Sequence, residues 1–380
     1  MQSQKFSNST PIKQTNMQKT ESLTEDFDTS MSWDSAGSGY ASVDFTELPF
    51  EPDSTCSSLE SSSIEIIESE IISSDDDEIM EESFADLMEE LLQLCVDDTP
   101  WNHFSKMHHI GQGSSGTVFL SESPNGEKVA IKVINLKKLK NKQLLLNEIC
   151  AMQNIIHPNL LPLKEAFIYE DAVDSELKVA IVTPYAELGN LIRFCKKTRH
   201  SEKLTALILR QVLQGLSELH RNSIAHRDIK SDNVFLKRDG TVFLSDLGFC
   251  DVTDEEGKCA GNSVIGTPYW MAPEVIKFGS SSINSDIWSV GILALELFDG
   301  EPPLMSKLGS MEAAKLIAGY TGTVAPAGPM ELPERFSPLF RHFLNNCFAL
   351  NPMCRASCEQ LLNHPFLTPC EDVTFSDILS

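Results

Sequence analysis

The spacing of apolar residues changes along this chain, from almost no pattern to a helical period and then to short strand-like runs. Residues 1–80 are dominated by Ser, Thr, Asp and Glu and hold few apolar positions. A segment of that composition buries too little apolar surface to offset the conformational entropy lost on ordering. We therefore expect residues 1–80 to form a disordered acidic tail.

A helical period follows over residues 83–96, where apolar residues recur at spacings of three and four. They are Phe84, Leu87, Met88, Leu91, Leu92 and Cys95. We predict an amphipathic helix within residues 81–98, ended by Asp97, Asp98 and Pro100. Three interpretations stay open: packing on the neighbouring domain, a partner-binding or autoinhibitory helix, and a nuclear-export signal with leucine-rich spacing.

From Phe104 the apolar runs are short and separated by turn residues, as in a globular domain. Asp239-Gly240 separates two apolar runs, and this pair is typical of a hairpin turn. The hairpin brings Asn233 and Asp246 to the same end of a two-stranded ribbon. Two oxygen ligands held there can share a divalent cation, with Asp228 as a further carboxylate in the preceding loop.

The charge distribution separates the tail from the rest of the chain. Residues 1–100 hold 24 acidic and 3 basic residues, and the remainder holds 31 acidic and 27 basic residues. The part after residue 100 is therefore nearly neutral, which argues against nucleic-acid binding. Ten cysteines without a Cys-x-x-Cys pair argue against zinc and against a disulfide framework. With no signal-peptide pattern and no long apolar run, we expect an intracellular protein without a membrane span.

A glycine-rich run, Gly111-x-Gly113-x-x-Gly116, begins the first candidate site. Glycine allows backbone N–H groups to approach phosphates closely. A Rossmann dinucleotide site requires a helix directly after such glycines, whereas here a strand, a hairpin turn and the strand that carries Lys132 follow. This order favours a loop that covers nucleotide phosphates.

Three further motifs follow in order along the chain. Residues 226–233 read His-Arg-Asp-Ile-Lys-Ser-Asp-Asn, residues 246–250 read Asp-Leu-Gly-Phe-Cys, and residues 266–274 read Gly-Thr-Pro-Tyr-Trp-Met-Ala-Pro-Glu. Together with the glycine-rich run, they resemble the protein kinases. Within that family they are similar to the sterile-20-like serine/threonine kinases, and among these to the p21-activated kinases.

The resemblance covers residues 104–367 and implies an α+β, two-lobed protein kinase fold. It implies a β-rich N-lobe over 104–183, a hinge over 184–186 and a mainly helical C-lobe over 187–367. Residues 368–380 would then form a C-terminal tail. Arg355 is expected to pair with Glu274 as a structural bridge.

The resemblance also assigns site residues. Asp228, Lys230 and Thr267 are the expected catalytic residues, and Asn233 and Asp246 are expected to hold Mg²⁺. ATP is the expected co-substrate, and the residues assigned to it are Ile110, Gly111, Gln112, Gly113, Ser114, Ser115, Gly116, Thr117, Val118, Ala130, Lys132, Glu148, Thr183 and Ala186.

Several regulatory features are expected as well. Ser263 is the expected activation-loop phosphosite, with Arg227 as the partner of its phosphate. Asp232 and Glu296 are candidates for binding a basic residue of the substrate. Leu247 stands where the family usually has Phe, which alters packing and leaves the metal ligand in place. The tail has no recognisable segment that would bind a small GTPase of the Cdc42/Rac class.

The resemblance implies an ATP-dependent serine/threonine kinase that acts on protein substrates in intracellular signalling. One alternative is a pseudokinase scaffold, although neither Lys132 nor a metal ligand is missing. Another is that the tail is an interaction module. Residues 63–72 are rich in Ile, precede an acidic run and resemble a SUMO-interacting motif, or are simply an apolar patch. We expect a cytoplasmic protein that shuttles with the nucleus.

Overall fold

The computed structural model describes residues 87–113, 116–139, 141–192, 201–262, 264–320 and 334–367. The predicted tail with its SUMO-type motif, the start of the amphipathic helix and the segment 368–380 lie outside these ranges. Ser114, Ser115 and Ser263 lie outside them as well. All that follows concerns the described residues.

The elements form a β-rich N-terminal lobe followed by a mainly helical lobe. The N-terminal lobe contains α1 (87–94), β1 (Val96–Asp97), β2 (Ser105–Gly113), β3 (Gly116–Glu122), β4 (Lys128–Asn135), α2 (Gln143–Asn154), β5 (Glu165–Glu170) and β6 (Leu177–Pro184). The second lobe contains β7 (Gly189–Asn190), α3 (Glu202–Arg221), β8 (Ile224–Ala225), β9 (Val234–Leu236), β10 (Val242–Leu244), β11 (Asp251–Val252), β12 (Lys258–Asn262), α4 (Pro273–Phe278), β13 (Ser280–Ser282), α5 (Ile283–Asp299), α6 (Ser310–Ala318), α7 (Pro338–Cys347) and α8 (Cys358–Leu362). The expected α+β, two-lobed kinase fold is confirmed.

The N-terminal lobe is built on a six-stranded sheet in the order β1-β5-β6-β4-β3-β2. Alternating apolar residues of β4, β5 and β6 bury one face of this sheet in a small cluster with Phe104 and Met107. The other face packs against α2, whose buried residues include Leu145, Leu146 and Ile149. The sheet thus holds the glycine-rich strands and α2 in a fixed relation.

The N-terminal helix is shorter at its C-terminal end than the sequence pattern predicts. The described helical residues are 87–94, and Val96 and Asp97 form β1, which pairs in parallel with Phe167 and Ile168 of β5. The prediction of a helix through residue 98 is therefore wrong. A β-branched Val followed by two Asp residues favours helix poorly, and pairing with the edge of the sheet satisfies its backbone instead.

α1 packs against α2, which supports the packing interpretation of this helix. Leu91 is fully buried, and Leu87 and Cys95 are nearly so, in the same core as α2. Gln153 Nε2 at the end of α2 donates a hydrogen bond of 2.9 Å to the carbonyl of Leu94. α1 therefore braces the helix that carries Glu148.

Replacing Leu91 with Ala should lower the free energy of unfolding by about 2–5 kcal/mol, because it leaves a cavity in a closed part of the core. The matched control is Leu92→Ala, since Leu92 is 50% exposed on the same helix and its loss should cost less than about 1 kcal/mol. Urea denaturation of both variants measures the difference. Equal, small losses for the two would show that α1 does not pack as described.

The second lobe is organised around α5, which begins at the N-cap Ser282 and is buried along nearly its whole length. The predicted hairpin is present: β9 and β10 pair in antiparallel fashion, and Gly240 closes the turn at a positive φ of 86°. The expected bridge is also present, since the Arg355 guanidinium binds both carboxylate oxygens of Glu274 at 2.5 and 2.7 Å. None of the helices in the described ranges combines the length and apolar character that crossing a membrane requires.

Candidate active site

The glycines of the glycine-rich run lie at the end of β2 and at the start of β3. Gly111 and Gly113 lie on β2, and Gly116 begins β3. A Cβ placed on Gly116 would lie 2.3 Å from the carbonyl oxygen of Val133 on β4, so no other residue fits this position without a shift of backbone. Of the other predicted nucleotide-binding positions here, Ile110 and Gln112 lie on β2, and Thr117 and Val118 lie on β3.

Lys132 on β4 faces α2 and meets Glu148 there. Its Nζ lies 3.3 Å from both carboxylate oxygens of Glu148, and both side chains are mostly buried. Burial lowers the pKa of Lys132, but the negative charges of Glu148 and Asp246 outweigh it and raise that pKa above its usual range. Lys132 is therefore a mostly buried cation held against α2 rather than an exposed strand residue.

Three further predicted residues lie beside the sheet where the first lobe ends. Ala130 of β4 pairs with Thr183 of β6, which places these two side chains on adjacent strands. Ala186 follows β6, is buried, and its carbonyl accepts a hydrogen bond of 3.0 Å from the N–H of Gly189. The chain turns there from the sheet into the second lobe.

The loop between β8 and β9 gathers the residues predicted to be catalytic. Lys230 Nζ lies 2.8 Å from Asp228 Oδ2 and donates to Thr267 Oγ1, also at 2.8 Å. The Thr267 hydroxyl in turn donates to Asp228 Oδ1 at 3.1 Å. Asp228 and Lys230 are each 3% exposed. A carboxylate, an ammonium and a hydroxyl are thus held in one closed set of contacts.

Asn233 contacts this set directly, and Asp246 follows the two-stranded ribbon that begins after Asn233. Asn233 Nδ2 donates to Asp228 Oδ2 and to the Asp228 carbonyl, both at 2.9 Å, so the amide nitrogen is used inward and the amide oxygen is left as an acceptor. Asp246 adopts a left-handed backbone at φ 62°, directly after the ribbon. One amide oxygen and one carboxylate fit Mg²⁺, which prefers oxygen ligands and keeps several sites for water and phosphate. The described residues hold no cluster of three or more His, Cys, Asp or Glu side chains that would suit a more demanding metal.

The loop between β8 and β9, which is the predicted catalytic loop, is held in place by Asp286, a residue to which the sequence alone assigns no role in the site. Asp286 Oδ2 accepts the backbone N–H of His226, and Oδ1 accepts that of Arg227, each at 2.8 Å. His220 also contacts Oδ2 at 2.9 Å. An Asp in the first turn of a strongly apolar helix is the only signal for this role in the sequence, because the two backbone N–H groups that it holds lie 60 and 59 residues away.

Glu296 does not match its predicted role in binding a basic substrate residue. Its carboxylate is 2% exposed and accepts hydrogen bonds from the hydroxyl and N–H of Ser231 and from Trp270 Nε1. Burial raises the pKa of Glu296 to about 7, against these hydrogen bonds, which lower it. The carboxylate therefore links the catalytic loop to α5. Both of its oxygens accept hydrogen bonds from the protein itself rather than facing a substrate.

Comparison with known proteins agrees with this geometry. The profile of the protein kinase domain matches residues 104–367. The chain is 37% identical to the serine/threonine-protein kinase pakA of Talaromyces marneffei over 75% of this chain and 43% of that protein. It is also 37% identical to the serine/threonine-protein kinase PAK 1 of Mus musculus, over 74% of this chain and 50% of that protein. The identity to the serine/threonine-protein kinase ste20 of Aspergillus oryzae is 37% as well, over 75% of this chain and 32% of that protein.

The chain thus spans half the length of these curated relatives or less. The matched region contains every element of the site described above. By the match to the family profile over most of its length, the chain belongs to the protein kinase family, and within it the chain is similar to the PAK and Ste20 kinases.

Proposed function

We propose that the chain is an ATP-dependent serine/threonine kinase that transfers the γ-phosphoryl group of ATP to hydroxyl groups of protein substrates. The observation that carries this proposal is the closed set of contacts among Asp228, Lys230 and Thr267. It lies at the same cleft as the Lys132–Glu148 ion pair, since Asp246 influences Lys132 from the ribbon beside Asn233.

Asp228 is the proposed acceptor of the proton from the substrate hydroxyl. Its Oδ1 already accepts a hydrogen bond from one hydroxyl, that of Thr267, which shows the reach of this carboxylate. Lys230, 2.8 Å from the same carboxylate, is placed to stabilise negative charge on the transferring phosphoryl group. Most of the rate in phosphoryl transfer comes from positioning and from charge stabilisation of this kind.

In the proposed nucleotide site, Lys132 binds the phosphates. It is suited to this because its positive charge is held in place by the sheet and by Glu148 of α2. The glycine-rich strands close over those phosphates, and Ala130, Thr183 and Ala186 border the adenine position. Asn233 and Asp246 are the proposed Mg²⁺ ligands; when bound, the metal would neutralise charge on the phosphates. The pseudokinase alternative is not favoured, because Lys132, Asn233 and Asp246 are all present in the sequence, and Lys132 and Asn233 make the contacts described above.

Serine and threonine are favoured over tyrosine as acceptors by the contact between Lys230 and Thr267. Lys230 paired with Thr267 is the pattern that the family resemblance associates with serine/threonine kinases rather than with tyrosine kinases. The predicted contacts of the tail, the phosphosite at Ser263, the export signal and the cytoplasmic localisation stay predictions.

The proposed activity is tested with matched peptides that differ only in carrying Ser, Thr or Tyr at the central position. Purified protein with Mg·ATP should phosphorylate the Ser and Thr peptides and leave the Tyr peptide unmodified, as read by mass spectrometry. A degenerate library around the better acceptor then identifies the flanking preference. Transfer to Tyr alone, or ATP hydrolysis without transfer to any peptide, would contradict the proposal.

A further inference from the structure

Arg227 connects the catalytic loop to the segment that leads to Thr267. Its backbone N–H is held by Asp286, and its φ of 71° lies in the left-handed region. Its carbonyl oxygen lies so close to Gly266 that a Cβ on that residue would be 2.8 Å away. The position of Arg227 therefore affects two neighbours at once: Asp228, which follows it, and the loop that presents Thr267.

The Arg227 side chain is 6% exposed, and a guanidinium buried to that extent is costly unless an anion accompanies it. Asp251 supplies that anion, with its Oδ2 2.5 Å from Arg227 Nη1. Asp251 lies on β11, which pairs with β8 directly before the catalytic loop, Asp251 opposite Ala225. Strand pairing thus places the carboxylate against the arginine independently of any residue farther along the segment.

The rest of the segment between Asp251 and Asn262 is also tied to the second lobe. The N–H of Thr253 donates to the carbonyl of Ser223 at 2.8 Å, and the N–H of Ile283 donates to the carbonyl of Gly257 at 3.0 Å. β12 pairs in antiparallel fashion with β13, which leads into α5. The Arg227–Asp251 ion pair therefore acts together with backbone hydrogen bonds that hold residues 251–262 against the second lobe.

We propose that Asp251 is a positioning residue for phosphoryl transfer, which supplies Arg227 with the anion that the sequence alone predicts from a phosphate on Ser263. The inference rests on the proposed function, because positioning is measured through catalysis. Arg227 has its anion within the chain, so phosphorylation of Ser263 is not required for transfer. A phosphate brought to Arg227 would meet the negative charge of Asp251 and would have to displace it.

The test compares Asp251→Asn, Asp251→Glu and Ser263→Ala with wild type, and uses Glu256→Gln as the matched control. Glu256 lies in the same segment, between β11 and β12, and its side chain is 71% exposed, so its replacement removes the same charge without removing the partner of Arg227. Asp251→Asn should reduce kcat/KM for a Ser peptide by about 10-fold or more, since it leaves a buried guanidinium without its anion. Ser263→Ala and Glu256→Gln should each stay within about two-fold of wild type.

Two readouts separate positioning from a merely structural role. The KM for ATP should change by less than about two-fold in Asp251→Asn, since neither Arg227 nor Asp251 is among the proposed nucleotide ligands, whereas kcat should fall. Asp251→Glu should recover most of the lost kcat, because it restores a carboxylate. Full activity of Asp251→Asn would overturn the inference. So would loss of activity in Ser263→Ala together with a phosphate at Ser263 in active wild type.

Hydrogen exchange tests the structural part of the inference, that Asp251 holds the segment, even if the proposed function fails. If wild type transfers no phosphate to any peptide, the proposed function is wrong. Amide exchange over residues 251–262 still reports on the ion pair and the hydrogen bonds that hold this segment. Asp251→Asn should then show faster exchange over this range than Glu256→Gln, when each is compared with exchange in α5 of the same variant. Identical exchange in the two variants would overturn the role of Asp251 in holding the segment.

Discussion

Replacing Asp228 with Asn should reduce kcat for peptide phosphorylation by about 10²–10⁴-fold, the usual contribution of a positioned general base. The amide has nearly the shape of the carboxylate and can still accept the hydrogen bond from Thr267, but it cannot take a proton from the substrate hydroxyl. Because Asp228 is not among the proposed nucleotide ligands, the KM for ATP should change by less than about three-fold.

The control for this variant is Asp239→Asn, the same chemical change at the far end of the ribbon. Asp239 caps the hairpin turn and pairs with Lys237 at the surface, so its loss should leave kcat within about two-fold of wild type. A variant at Asp228 that kept more than about half of the wild-type kcat would show that this carboxylate is not the base.

Replacing Lys132 with Met should have the second largest effect, a loss of about 10²–10³-fold in kcat/KM, the range seen when one preorganised charge-stabilising donor is removed. The side chain stays unbranched, with one heavy atom fewer, and loses the positive charge that Glu148 and Asp246 stabilise. Part of the loss should be in kcat, so saturating Mg·ATP should not restore the activity. The phosphates are then bound, but without the cation that orients them.

Lys128→Met is the matched control for this second variant. Lys128 lies on the same strand and is exposed, so its replacement should change kcat/KM by less than about two-fold. If the variants at Lys132 and Lys128 behaved alike, Lys132 would be an ordinary strand residue, and the nucleotide site would need a different cation.

Local sequence signals were sufficient for much of the fold. Asp239-Gly240 between two apolar runs specifies one hairpin, and the structure has it with the expected strands. That hairpin alone brings Asn233 and Asp246 to one end of a ribbon. The pairing of Lys132 with Glu148 and of Glu274 with Arg355 came from family resemblance, since residues 16 and 81 apart have no local signal that joins them.

What the sequence did not reveal depends on tertiary contacts. Val96 continues a helical period, yet it forms a strand because the edge of β5 offers it backbone partners. Asp251 looks like one acid among several in a polar stretch, and only the pairing of β11 with β8 places it against Arg227. Glu296 looks like an accessible acid, but Ser231 and Trp270 enclose it. Each of these positions is decided by a neighbour distant in sequence.

The central claim is that the contacts among Asp228, Lys230 and Thr267 form a working phosphoryl-transfer site. Its most direct test is mass spectrometry of one Ser peptide after incubation with Mg·ATP and either wild type or Asp228→Asn, at equal protein concentration and for equal times. We expect phosphate on the serine with wild type and essentially none with the variant. Equal phosphorylation by the two proteins, or none by wild type, would contradict the claim.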